Sequence, residues 1–198
     1  MTDFFDVVTR QRACRAFSDV PVSDDTIGRV LDAAVHAPSA ENRQPWEFVV
    51  VRDTGTRMRI GDLMRQAWEQ GGRAFSEGRL PDSMLRDVDR GATGGVASAP
   101  VLIVVCADTE RGLEQTVPSS IYPAVQNLLL AATALGLGSA LTTIVTSYRD
   151  ELQALLSLPK PVWPVALVPL GHTERPLGPP RRRPFREHTH RDRYGFRW

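Results

Sequence analysis

The sequence predicts an α+β fold in which helices pack on a central sheet and a long arm follows at the C-terminus. Residues 100–106, PVLIVVC, form a continuous apolar run that is typical of a strand covered on both faces. Residues 122–135 place apolar and small residues at helical spacing. Past Gly171 this periodicity disappears. We therefore expect one domain over residues 1–198, of which residues 172–198 form the extended arm.

The N-terminal half contains signals for three helices and one strand. Ser23 is followed by two acids and then by apolar residues at helical spacing, so Ser23 is expected to cap a helix. Residues 76–98 are rich in Gly, Ser and Asp and carry the weakest signal. The predicted elements are a helix over 4–12, a helix over 24–36, a strand over 46–51 and a helix over 56–75.

The C-terminal half predicts further helices and strands. Gly136 is expected to end the long helix, because glycine readily adopts the left-handed conformation found after helix ends. Pro164 lacks an N–H for the sheet, so we expect a bulge there. The predicted elements are a helix over 122–135, a strand over 139–145, a helix capped by Ser147 that ends near Leu156, and a strand over 162–170.

The composition is typical of a soluble globular protein, with 42% hydrophobic and 24% charged residues. A net charge of +1 argues against steering of the whole protein towards nucleic acid or a membrane. Residues 115–148 carry no charge, but polar residues and glycines interrupt the run. A buried helix followed by a buried strand is therefore favoured over a membrane span. We expect neither nucleic acid nor membrane as a partner.

The cysteines and histidines indicate neither a metal site nor a secreted protein. Cys14 and Cys106 lie far apart and form no CxxC pair, which suits free thiols in a reducing compartment. His188 and His190 lack a nearby acid or cysteine that would complete a metal site. The N-terminus shows no apolar signal segment, so a cytoplasmic location is expected.

Two glycine motifs give only weak signals. Gly136 and Gly138 lack the third glycine of a dinucleotide-binding fingerprint, and a helix precedes them where a strand is required. Gly94 and Gly95 lack the lysine of a phosphate-binding loop. Neither motif by itself predicts a nucleotide site.

Two arginine clusters are candidates for binding an anion. Arg10, Arg12 and Arg15 lie at the end of the first helix and just beyond it, and a planar guanidinium suits phosphate because it donates two parallel hydrogen bonds. The alternative is a solvated helix end, where cations favour the helix dipole. The arm carries eight arginines against three acids, a charge of +5, and includes the run 181–183. Alone, that run would be solvated or would bind nucleic acid nonspecifically, but no aromatic interleaving supports nucleic-acid recognition.

The loop 37–46, APSAENRQPW, is a third candidate. Pro38 and Pro45 each fix one backbone angle and reduce the entropy lost when the loop is ordered. Ser39, Asn42 and Gln44 supply donors and acceptors that suit the edge of a heterocycle. The alternative is that these side chains satisfy the loop's own backbone, and spacing alone does not separate the two interpretations.

In combination, four segments resemble the FMN-dependent nitroreductase family. Order and spacing carry the resemblance, which leaves only about residues 53–98 poorly matched. The segments are RQRACRAF at 10–17, APSAENRQPW at 37–46, SSIYPAVQNLLLAATALGLGSALTT at 119–143, and VPLGHTERP leading to RRRPF at 168–185.

The resemblance implies a mainly antiparallel sheet packed by helices and a homodimer with FMN held non-covalently in two clefts at the subunit interface. It places Arg12, Ala13 and Arg15 at the phosphate, the ribityl chain and the flavin N1–O2 edge. Gln11 and Ala13 stand where arginine and serine are commoner, and Arg10 is the candidate substitute. The other implied contacts are Pro38, Ser39, Asn42 and Gln44 from the partner's loop, amides at Leu141, Thr142 and Thr143 facing N5–O4, and Arg181 and Arg183 over the phosphate.

The resemblance also implies an enzyme. We expect ping-pong hydride transfer from NADH or NADPH through FMN to an electron-poor small molecule, such as a nitroaromatic compound, a quinone or an enone. No side-chain acid or base is assigned, and Ser120 and Tyr122 are candidate pocket residues, with core packing the alternative for Tyr122. The rival hypotheses are a flavin-binding protein without turnover and an enzyme that fragments flavin, as dimethylbenzimidazole synthases do.

Overall fold

The computed structural model describes residues 3–198 and contains a four-stranded sheet with helices on both faces. The strand order is β1-β2-β4-β3, and every neighbouring pair is antiparallel. The strands are β1 (Trp46–Val51), β2 (Val101–Asp108), β3 (Gly138–Ser139) and β4 (Val162–Gly171). The predicted α+β class with a mainly antiparallel sheet is confirmed.

The helices begin and end largely where local signals indicate. The Ser23 hydroxyl accepts a hydrogen bond from the Thr26 N–H at 3.2 Å, as predicted for the cap. Gly136 adopts φ +77° after the long helix, and the Leu137 N–H closes the helix end on the Ala132 oxygen at 2.8 Å. The helices are α1 (Phe4–Arg10), α2 (Asp24–Val35), α3 (Thr54–Ala67), α4 (Arg73–Ser76), α5 (Asp82–Arg90), α6 (Val117–Ala134) and α7 (Arg149–Leu155).

The core lies on both sides of β2, whose eight residues are all buried. On one face Ile103 and Val105 join a cluster with α2 and α6. On the other, Leu102 and Val104 pack with Ile60 of α3. The continuous apolar run therefore forms a central strand covered on both faces, as predicted.

The predicted third strand is much shorter than 139–145, because Pro169 of β4 interrupts its pairing and the chain enters a short helical turn at Ile144–Tyr148. Ser139 pairs with Leu170 and Thr142 pairs with Leu167, so the same register places Ala140 opposite Pro169. Proline has no N–H to donate to the Ala140 oxygen, so the ladder is interrupted between its two paired positions. The predicted bulge near Pro164 is present, since the register between β2 and β4 skips Val165.

Three other helix boundaries differ from the predictions. The helix expected over 56–75 breaks at a wide turn, Trp68–Gly72, before α4. The long helix begins at Val117, five residues earlier than expected, with a proline in its first turn. Ser147 does not cap α7, because its hydroxyl donates to the Ile144 oxygen at 2.9 Å.

The C-terminal arm, residues 172–198, contains only one short helical turn, Phe185–Glu187. Residues 179–198 make no hydrogen bond or ion pair to residues 3–171. Within the described chain, no helix combines the length and apolar character needed to cross a bilayer.

Candidate functional site

The arginine-rich segment after α1 runs along the open edge of the sheet, beside β3. The Cys14 N–H donates to the Ser139 oxygen at 2.9 Å, and the Ser18 N–H donates to the His172 oxygen at 2.9 Å. These bonds fix the backbone at two points that flank Arg15. Residues 13 and 14 therefore pair with β3 at Ser139, on the side of the strand that faces away from β4.

A cleft of about 310 Å³ opens at this segment and is strongly basic. Its charged lining consists of Arg12, Arg15, Arg90 and Arg175, with Asp87 as the one acid among the lining residues. None of the four arginines forms an ion pair with a carboxylate of residues 3–198. Uncompensated positive charge in a concave site attracts an anion. The remaining lining residues are Ala13, Cys14, Ala16, Pro176, Leu177 and Gly178.

Arg12 holds its guanidinium group against the base of the arm. Its Nη1 donates to the Gly178 oxygen at 2.8 Å, whereas its Nε is buried and has no hydrogen-bond partner. A buried donor left unsatisfied costs about 1–3 kcal/mol. An oxygen of a bound anion would accept a hydrogen bond from this N–H. The unpaired donor therefore suits a phosphate group as the ligand of the cleft.

Arg15 is fixed by packing on the turn Gly91–Gly95, which follows α5. A Cβ atom at Gly91 would lie 2.6 Å from Arg15 Cδ, so the side chain lies directly on the glycine backbone. Burial lowers the pKa of the Arg15 guanidinium from its ordinary value, and the nearby Asp87 raises it. An arginine starts from so high a pKa that it stays cationic at neutral pH. Burial also raises the pKa of the Cys14 thiol, so this part of the wall stays neutral.

The loop 38–44 has a strained backbone. Glu41, Asn42 and Gln44 have φ angles of +53°, +55° and +50°, a region that residues other than glycine seldom adopt. Such conformations persist only where the surroundings hold them, and they concentrate at functional sites.

Two serines hold this loop in place. The Gln44 N–H donates to the Ser39 hydroxyl at 3.0 Å, and the Ala40 N–H donates to the Ser120 hydroxyl at 3.1 Å. Ser120 was expected to line a pocket. It is fully buried on α6, so within its own subunit it positions the loop and does not line a pocket. Tyr122 is 38% exposed, which excludes the core-packing alternative within one subunit.

The amide side chains of the loop contact each other and the loop backbone. Gln44 Nε2 donates to Asn42 Oδ1 at 3.2 Å and lies 3.4 Å from the Asn42 backbone oxygen. Pro38, Asn42 and Gln44 are exposed, and none of them lines the basic cleft of the same subunit. One subunit therefore does not bring the predicted loop residues together with Arg12 and Arg15.

The segment after β3 supplies two of the three backbone amides predicted there. The Thr142 N–H donates to the Leu167 oxygen at 3.0 Å, so this amide already has an acceptor within its own subunit. Adjacent amides of a strand point to opposite sides, so Leu141 and Thr143 point away from β4. Within residues 3–198 neither of these two amides donates to an acceptor. The segment that follows Ser139 therefore offers two backbone donors with no acceptor in the described part of the chain.

The structure does not bring Arg181 and Arg183 to the cleft of the same subunit. Arg183 Nε lies 3.9 Å from the Glu187 carboxylate, and the Arg181 oxygen accepts from Arg182 Nη1 at 3.1 Å. All three arginines are exposed. Their predicted role at a phosphate therefore requires a second subunit.

Sequence analysis missed four features of the cleft: Asp87, Arg90, Arg175 and the turn Gly91–Gly95. Three of them lie in residues 76–98, and Arg175 lies just after the last strand, where no periodicity distinguishes them. The pair Gly94-Gly95 was visible as a phosphate-loop remnant, but its contact with Arg15 could not be inferred from spacing.

Comparison with known proteins identifies the family. The model of the nitroreductase family matches residues 8–172. An Archaeoglobus fulgidus protein named "Putative NADH dehydrogenase/NAD(P)H nitroreductase" is 31% identical over 186 residues, covering 87% of this chain and 86% of that protein. A Bacillus subtilis protein named "FMN reductase [NAD(P)H]" is 25% identical over 191 residues, covering 87% of this chain and 66% of that protein.

A solved structure shows the same architecture. A crystal structure from Desulfovibrio desulfuricans, described as a "putative nitroreductase in complex with fmn", superposes with a TM-score of 0.74 at 25% identity. The match covers 98% of this chain and 99% of that one. With the family match over most of its length, this chain belongs to the nitroreductase family.

Proposed function

We propose that this protein is an FMN-dependent oxidoreductase that oxidises NADH or NADPH and reduces an electron-poor small molecule. The observation that carries the proposal is the buried, unpartnered Nε of Arg12 in a cleft lined by four arginines. Family membership and the relatives named for NAD(P)H and FMN support the same conclusion.

The residues present fit a flavin mononucleotide at its phosphate end. Arg12 offers a free Nε, and Arg15, Arg90 and Arg175 add positive charge around it. The exposed amides of Leu141 and Thr143, further along the same sheet edge, are donors for the ring system. In this assignment the partner's loop, through Pro38, Ser39, Asn42 and Gln44, covers the ring from the other side.

The protein's own contribution to the reaction is position and charge. Bound FMN would supply the redox chemistry between NAD(P)H and a nitroaromatic compound, quinone or enone. The fixed positive charge of Arg15 favours the state of the ligand that carries more negative charge, without reorganisation during the reaction. No side chain is assigned as an obligate proton donor, so water or the substrate supplies the proton.

We further propose a homodimer in which each arm crosses to the partner subunit. The arm carries +5, whereas residues 1–171 hold 16 basic and 20 acidic residues, a net charge of −4. The arm also exposes Tyr194 to 89%, Phe196 to 66% and Trp198 to 51%. Opposite charges and exposed aromatic rings both favour burial of the arm on a second copy. Arg181 and Arg183 would then reach the partner's basic cleft.

The absorption spectrum of the purified protein tests the function directly. We expect flavin absorption bands, release of FMN on denaturation, and anaerobic bleaching by NADH or NADPH that a quinone or nitroarene reverses. A protein that stays oxidised with both nicotinamides would be a flavin binder without turnover. A protein that consumes its flavin irreversibly would support the fragmentation chemistry, and a colourless protein that refuses added FMN would refute the proposal.

A further inference from the structure

The turn Gly91–Gly95 is built around Arg15. The turn is wide, because the Val96 N–H donates to the Gly91 oxygen at 3.0 Å, five residues back. Gly94 has φ +148°, a conformation that residues with a side chain rarely adopt. Wide turns of this kind at the end of a helix are frequent at functional sites.

Two glycines of the turn contact Arg15 at different atoms. A Cβ at Gly91 would lie 2.6 Å from Cδ and 3.2 Å from Cγ of the Arg15 side chain. A Cβ at Gly95 would lie 2.3 Å from the Arg15 backbone oxygen. Carbon atoms pack at about 3.5–4.0 Å, so any side chain at either position would displace Arg15.

These contacts immobilise the part of Arg15 that is normally flexible. The Cys14 N–H and Ser139 oxygen hold the backbone beside it, and the Gly91 backbone supports Cγ and Cδ. A long side chain loses rotamer entropy when it is ordered by a ligand, and this loss weakens binding. Because the turn already orders Arg15 in the folded protein, this entropy is lost on folding and not on ligand binding.

We propose that Gly91 and Gly95 are positioning residues that lock Arg15 in its ligand-binding orientation. This inference rests on the proposed function, because it takes FMN as the ligand of the cleft. It also gives residues 76–98 a role: α5 and its terminal turn form the wall that fixes Arg15, while Asp87 and Arg90 of α5 set the charge beside it.

A double-mutant cycle with FMN titrated into the apoprotein tests the proposal. The variants are Gly91→Ala, Arg15→Ala and the double variant, with Gly28→Ala as the matched control because its Cβ would meet nothing within 4 Å. We expect Gly91→Ala to raise the Kd for FMN about tenfold or more, since a misplaced charged donor loses its hydrogen bonds. In the Arg15→Ala background the same substitution should have a much smaller effect on Kd, because Cγ and Cδ are gone and only the residue 15 Cβ, 3.3 Å from the added Cβ, remains. Gly28→Ala should bind FMN as the wild type does.

A second measurement separates positioning from general destabilisation. If Arg15 is misplaced, Gly91→Ala should lower the midpoint potential of the bound flavin, and Arg15→Ala should lower it too. An unchanged Kd or potential in Gly91→Ala, or an equal loss of affinity with and without the Arg15 side chain, would overturn the proposal. If Gly91→Ala does not fold, folding of the double variant would support the proposal, because it would show that the clash is with the Arg15 side chain. If neither variant folds, the proposal is overturned. Failure of the wild type to bind FMN would refute the proposed function instead.

Discussion

The two arginine clusters of this protein differ in how they are held. In the cleft, Arg12 is bonded to the Gly178 oxygen and Arg15 lies on the glycine turn. In the arm, Arg181, Arg182 and Arg183 are exposed and contact only neighbours within the arm. The first cluster is organised within one subunit, and the second lacks any support from the body of its own subunit.

This difference indicates a division of labour at the proposed site. The cleft arginines are held by the body of their own subunit before any anion binds, which reduces the entropy cost of binding. In the proposed dimer, the arm arginines would acquire a fixed position when the arm docks on the partner subunit. Flavin binding and dimer formation are therefore expected to stabilise each other, because both use the arm.

Removing one arginine from each cluster should give the largest effect. In Arg12→Ala/Arg183→Ala, we expect the Kd for FMN to rise about 100-fold or more, because each charge-assisted hydrogen bond contributes about 1.5–3 kcal/mol. The measurement is flavin occupancy after purification and FMN titration of the apoprotein. The control is Arg65→Ala/Arg182→Ala, which removes two arginines outside the proposed contacts. Unchanged occupancy in the first variant would refute a shared phosphate.

Deleting residues 179–198 removes the arm arginines and leaves the Gly178 oxygen in place as the acceptor for Arg12. We expect the truncated protein to become monomeric and its Kd for FMN to rise about tenfold or more, since the arm supplies both an interface and phosphate contacts. Sedimentation velocity reports the mass and fluorescence titration reports the affinity. A truncated protein that remains dimeric and retains its flavin would contradict the crossing arm.

Ser120→Ala should have a moderate effect, because it removes the acceptor for the Ala40 N–H in the strained loop. We expect the free energy of unfolding to fall by about 1–3 kcal/mol and the affinity for FMN to fall with it. Urea unfolding measures the first quantity. Ser119→Ala is the control, since this exposed serine of the same helix bonds only to the Thr116 oxygen. Equal effects of the two substitutions would show that Ser120 does not hold the loop.

Asp87→Asn should give the smallest effect and the opposite sign. Asp87 is the one acid among the cleft lining and repels an anion. Neutralising it should lower the Kd for FMN by a few-fold, since an exposed charge contributes on the order of 1 kcal/mol or less. The gain should shrink at high salt, where the charge is screened. Asp82→Asn, on the same helix but outside the cleft lining, should leave the Kd unchanged.

The sequence predicted the elements whose signals are local. The uninterrupted apolar run predicted the buried strand β2, and the cap at Ser23 and the left-handed Gly136 fixed two helix ends. The gap in the pairing after β3 was not predictable, because it is caused by Pro169 on a strand about thirty residues further along the chain. A pairing partner is visible only once the register is known.

The candidate site was predicted only in part, because some of its contacts join residues that lie far apart in the sequence. Arg12 and Arg15 follow from the resemblance of the first segment to the family, and the structure places both in one cleft. The contact between Gly91 and Arg15 joins residues 76 positions apart in a region without periodicity. Tertiary contacts of this kind leave no local pattern in the sequence. The spacing of residues therefore cannot predict which glycines are needed because they have no side chain.

The comparison of FMN with riboflavin tests the central claim most directly, because the two ligands differ only in the phosphate. If the unpartnered Arg12 Nε binds that phosphate, the wild type should bind FMN at least about 100-fold more tightly than riboflavin. The preference should largely disappear in Arg12→Ala. Equal affinity of the wild type for FMN and riboflavin would contradict the account.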